Sequence, residues 1–191
     1  MPLTDIEREI IKSVVTNFIT DRQSTHRSIL LGFEQPRAIE HLSSLRILDV
    51  QENRKVFLPT ILAFHYCGVP TFLQTAKSSI DAVARALLRL FRAGNLDITC
   101  TYTPEDLGIY ASGVNFVPVP NQISLGLFLV REFGVLHGFS TNSEHTEVTQ
   151  FQISEDILTF KNTGKEWDEF VGQRSKQIDG MDQPAKVEGM T

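Results

Sequence analysis

Cysteine and tryptophan are scarce in this chain of 191 residues, which holds two Cys and one Trp. So few thiols exclude a disulfide scaffold. Cys67 and Cys100 sit in apolar or strand-like surroundings and read as two buried thiols of a cytosolic protein. No apolar run approaches the ~18 residues of a membrane span, so no membrane partner is expected. The start, Met1-Pro2-Leu3-Thr4-Asp5, has no basic stretch ahead of an apolar one, so no secretory leader is expected either. A surplus of positive charge is also missing. The chain has 18 Lys+Arg against 23 Asp+Glu, a net charge of −5. That excludes a non-specific nucleic-acid coat protein, which needs a positive field. Phosphate-loop, glycine-rich dinucleotide and Gly-x-Ser-x-Gly signatures are absent. His65-Tyr66-Cys67 has no second ligand pair to complete a structural zinc site. His145-Thr146-Glu147 lacks the Pro-Cys-x-x-Cys partner that zinc deaminases require. The expectation is a cytoplasmic, non-enzymatic protein without metal or cofactor.

What is present is enough apolar sequence for a core. A chain of this length buries roughly 70% of the surface it exposes when unfolded. Acidic excess is confined to the last segment: residues 1–65 hold eight basic and eight acidic groups, residues 66–134 five of each, and residues 135–191 five basic and ten acidic. A local basic surface upstream is therefore compatible with the net charge.

Thr4-Asp5-Ile6-Glu7 has capping-box form, in which Thr4 accepts from a helical N–H and Glu7 reaches back. Ile6, Ile10, Ile11, Val14 and Phe18 follow at helical spacing. Ser24 or Thr25 can cap a second helix burying Ile29, Leu30 and Phe33. Pro36 suits the first turn of a third, with Ile39, Leu42 and Leu45 or Arg46 as its stripe. The period then changes to two. Leu48 and Val50, then Val56 and Leu58, flank the polar turn Gln51-Glu52-Asn53-Arg54 and predict a β-hairpin. Residues 70–93 carry a wide apolar helical face, capped by Gly94-Asn95. Leu96 to Tyr102 alternates like a strand, and Thr103 to Pro120, broken by Gly and Pro, reads as loop. A helix over 121–133, strands over 135–139 and 147–153, and two short helices over 154–160 and 164–171 complete the expected order. Residues 172–191 are polar and read as a disordered tail.

Three helices followed by a short hairpin, over Thr4–Thr20, Ser24–Phe33, Pro36–Leu45 and Ile47–Thr60, resemble the winged helix-turn-helix superfamily. The resemblance covers roughly residues 3–62. It implies an α+β protein with a winged-helix domain over 1–65, followed by a long helix and a small α+β region over 66–171. It also implies that the third helix enters the major groove of duplex DNA. Arg37, His41 and Ser44 would then face the groove. Arg54 and Lys55 would sit on the wing near phosphates, and Arg27 would contact the duplex backbone. This corresponds to a transcriptional regulator. Glu34, Glu40 and Glu52 lie on the same elements and disfavour phosphate, so a winged helix used as a protein–protein adaptor or structural module is the alternative.

Three further features carry candidate roles. Arg85, Arg89 and Arg92 share one face of the long helix, as an anion site or, more simply, a solvated face. The same helix has more apolar circumference than a small domain needs, which points to a homodimer or partner surface over 70–93. An enzymatic site in the 103–120 loop beside His137 would require a deep polar pocket there.

Overall fold

The computed structural model describes residues 3–21, 25–26, 36–51, 56–92, 97–111, 120–143, 145–158 and 163–180. Helix α1 (Asp5–Asp21) opens with the capping box that its sequence predicts. The Thr4 amide donates to Glu7 Oε2 at 2.7 Å, and the Glu7 amide donates to Thr4 Oγ1 at 3.3 Å. Ile10, Ile11, Val14, Val15 and Phe18 form its buried stripe.

Strand β1 (Thr25–His26) replaces the expected start of a second helix; residues 27–35, where the rest of that helix was expected, lie outside the described residues. Thr25 is β-branched and buried, and it pairs with Phe57. This cross-strand contact outweighs its capping propensity. Helix α2 (Pro36–Ser44) follows, then β2 (Leu48–Gln51) and β3 (Val56–Pro59). The sheet order is β1-β3-β2, antiparallel throughout, with Leu48 opposite Pro59 and Gln51 opposite Val56. The N-terminal helices followed by a hairpin therefore stand as expected.

The turn after helix α2 passes through Arg46, whose φ of 55° is left-handed. The Arg46 amide donates to the Ser43 carbonyl and the Ile47 amide to the Leu42 carbonyl, both at 2.9 Å. Ile47 and Leu42 are fully buried, closing the turn with an apolar contact.

The second half is mixed helix and strand. It runs α3 (Ile61–Tyr66), α4 (Pro70–Arg92), α5 (Pro104–Ala111) and α6 (Pro120–Val130), then β4 (Leu136–Thr141), β5 (Val148–Ile153) and α7 (Thr163–Gly180). Short 3-10 turns occupy Arg131–Phe133 and Glu155–Leu158. Strands β4 and β5 pair antiparallel.

Several expectations are corrected here. Residues 97–102 are not a strand. The Asp97 carboxylate captures the Thr99 amide at 2.8 Å and its hydroxyl at 2.6 Å, folding a turn, and only Tyr102 bridges to Phe151. Residues 104–111 are helical rather than loop, because Thr103 and Asp106 form a second capping box across the first turn that Pro104 opens. Helix α7 continues to Gly180 with Val171 and Ile178 buried, so no tail starts at Gly172; residues 181–191 lie outside the described residues. Cys67 is buried but Cys100 is exposed.

One hydrophobic cluster runs from Leu3 to Ile178 and joins the two halves. Phe18 of α1 meets Phe128 of α6 with ring centres 4.6 Å apart. Ala76, Ile80, Val83, Ala84, Leu87 and Leu90 of α4 are buried against the chain's own α5, α6 and α7. The width of that apolar face is thus explained inside one chain. Among the described residues no helix is long and apolar enough to cross a membrane.

Candidate binding site

Helix α2 presents Arg37, Glu40 and Ser44 to solvent, spaced three and four apart on one face. His41 lies beside them but is engaged: its Nδ1 is 2.5 Å from Glu7 Oε1. Burial alone would raise the Glu7 carboxyl. The hydrogen bonds from His41 and from the Thr4 amide and hydroxyl outweigh it and hold the carboxyl below its ordinary value. The capping box of α1 thereby also fixes α2. Ser44 Oγ donates to the His41 carbonyl at 2.8 Å. Arg27, Arg54 and Lys55 lie outside the described residues.

A cleft of about 540 Å³ opens where the two halves meet, between the end of α2, the base of the hairpin, the Arg131–Phe133 turn, β4 and α7. Arg46, Arg131 and Arg174 line it, with Asp49, Glu132 and Phe139. Arg131 is largely enclosed, with its side chain 15% exposed. Its guanidinium carbon stands 3.9 Å from the Phe128 ring centre and 5.9 Å from that of Phe139. Its Nη2 lies 4.0 Å from Asp49 Oδ2, an ion-pair distance too long for a hydrogen bond. Burial pulls Arg131 below the ordinary guanidinium value, against the pull of Glu132 and Asp49. Arg174 stacks on Phe170 at 4.7 Å.

Glu132 occupies the inner wall. Its Oε1 accepts from the Ile61 amide at 2.9 Å, capping the start of α3 from the other half of the chain. Thr60 precedes that helix but does not cap it. Its hydroxyl instead contacts the Arg46 and Ile47 carbonyls, each at 2.9 Å. Desolvation pushes the Glu132 carboxyl up to about 7, although the Ile61 amide, Arg131 and Arg174 all favour its charged form.

Sequence reasoning missed this cleft. Its residues come from five separate elements, and no spacing links them. The left-handed Arg46 had no glycine or asparagine to mark it. The other sequence candidates resolve simply. Arg85 and Arg89 are exposed, and Arg85 pairs with Asp81 on its own helix; the Arg92 side chain lies outside the described residues. Among the described residues no group of three or more His, Cys, Asp or Glu is placed to hold a metal. His137 is exposed on β4 and does not line the cleft.

Comparison with protein-family models, with curated proteins and with solved structures finds no match.

Proposed function

We propose that the protein is a non-enzymatic, cytoplasmic regulatory protein whose N-terminal unit is a winged helix that binds duplex DNA. One observation carries this reading. The solvent face of α2, with Arg37 and Ser44, stands directly ahead of a hairpin, and both are fixed to α1. Leu42, Phe57 and Leu58 are buried against the α1 stripe, and Glu7 ties His41 in place. A helix held rigidly ahead of a hairpin suits entry into a major groove. Arg37 would donate to base edges or phosphate, and Arg27, Arg54 and Lys55 would serve phosphates. His41 in this reading is a positioning residue for α2 rather than a reader of bases.

Glu40 lies between Arg37 and Ser44 on the same face and favours the second reading, an adaptor that docks this face on a protein. Fluorescence anisotropy of random-sequence duplex DNA at two salt concentrations separates the two. DNA binding predicts a Kd on the order of 10⁻⁴ to 10⁻⁶ M at physiological salt, tighter as salt falls. It also predicts loss of that binding when Arg37, Arg54 and Lys55 are changed together to Glu. Absence of binding at low salt would overturn it in favour of the adaptor.

A further inference from the structure

We propose that the cleft between the two halves binds a small organic molecule carrying a phosphate or carboxylate group, gripped by Arg131 and Arg174 with Arg46 at the α2 side. Three guanidinium groups reach one cleft from three separate parts of the chain. Two carboxylates accompany them, and one of these, Glu132, is already committed to the Ile61 amide. Asp49 is 41% exposed, and its Oδ2 lies 4.0 Å from Arg131 Nη2. Three guanidinium groups against two carboxylates leave the cleft a formal positive excess.

Arg131 gives the sharpest indication. Its side chain is only 15% exposed and packs near the Phe128 and Phe139 rings, and among the described residues its guanidinium donates no hydrogen bond. Guanidinium offers five N–H donors in a rigid fork, and those of Arg131 remain available at the cleft surface. A bidentate oxyanion supplies the acceptors that the protein does not. Arg46 stands at a left-handed position that glycine would occupy without strain, yet the residue there is one whose side chain lines the cleft. Phe139, 42% exposed, adds an apolar wall, so the ligand has a carbon skeleton as well as a charged end.

This site is separate from the proposed DNA contact. It adjoins the end of the hairpin where Leu48 pairs with Pro59, and Arg37, His41 and Ser44 are not among its lining residues. Its failure would leave the DNA reading untouched, and the reverse holds as well.

The test is calorimetric titration of the full chain with sodium sulfate and with sodium succinate at pH 7, each against sodium chloride of equal ionic strength. Sulfate stands in for a phosphate ester and succinate for a carboxylate. Saturable heat with at least one probe, half-saturating in the millimolar range, is expected. Arg131→Met and Arg174→Gln should each raise the half-saturating concentration tenfold or more. Arg85→Gln, on the outer face of α4, should leave it unchanged. Arg174 lies on a partly exposed helix face, so its variant keeps the test valid if Arg131→Met fails to fold by circular dichroism. A response to sulfate alone assigns the phosphate class, and one to succinate alone the carboxylate class. No saturable response to either probe, or one that Arg174→Gln leaves intact, overturns the proposal.

Discussion

Two carboxylates, Glu7 and Glu132, do similar hydrogen-bonding work, yet their charges act on stability in opposite directions. Glu7 closes its own helix and holds His41, and its carboxyl lies below the ordinary value of 4.5. It therefore contributes stability that is present above that value and fades as pH falls through the folded-state value. Glu132 caps a helix from across the fold, but desolvation raises its carboxyl from 4.5 to about 7. Between those limits the folded protein holds a proton that the unfolded chain has released. Its contribution is complete below pH 4.5, falls as pH rises through about 7, and is level beyond. At 1.36 kcal/mol per unit, the shift corresponds to about 3 kcal/mol. Glu132→Gln keeps an oxygen for the Ile61 amide and removes the ionisation. Urea unfolding at pH 5 and pH 8 should show wild type losing on the order of 2–3 kcal/mol and the variant losing far less. An equal loss in both would place the titrating group elsewhere.

At the scale of elements, the tightest junction is that between α4 and α6. Gly126 faces the helix wall so closely that an added Cβ would come within 3.0 Å of the Ser79 carbonyl and the Val83 side chain. Ser79 is itself fully buried, so the wall has no slack on that side. Gly126→Ala should therefore destabilise by about 1–3 kcal/mol through overpacking, although alanine is the better helix former. Gly172→Ala on α7, where nothing lies within 4 Å of the new methyl, is the control and should stabilise by about 0.5–1 kcal/mol. Thermal melts of the two variants should move in opposite directions; movement the same way would remove the close approach as the reason for Gly126. The amphipathic stripes of α1 and α4 and the alternation of the β2–β3 hairpin were legible in the sequence because each follows a local period. Helix α5 was legible in principle through Thr103-Pro104-Glu105-Asp106, but three nearby Gly or Pro breaks masked the signal. Strand β1 was not legible, since two residues carry no period and their pairing with Val56 and Phe57 is non-local. The cleft was illegible for the same reason: Arg46, Arg131 and Arg174 meet only after folding.

For the whole molecule, the shared core decides how it unfolds. Residues 1–65 and 66–171 read from sequence as two regions, yet Phe18 and Phe128 are both fully buried against each other across that divide. Glu132 and Asp49 add polar ties in the same place. The two regions share one apolar core, so the chain is expected to melt as one unit. Trp167, buried where α7 meets α4 and 5.9 Å from Lys77 Nζ, is the single tryptophan and reports on the second region alone. Circular dichroism reports on both. In urea the two signals should share one midpoint in wild type. Phe18→Ala removes a ring from the first region and should cost about 3–5 kcal/mol. If the core is continuous, the Trp167 transition must shift by the same amount as the dichroism, although the substitution lies on α1. A Trp167 midpoint that stays in place while part of the helical signal melts earlier would instead mean two independently stable domains. The cleft between them would then open and close as they move, and binding of an oxyanion there would raise the stability of both at once.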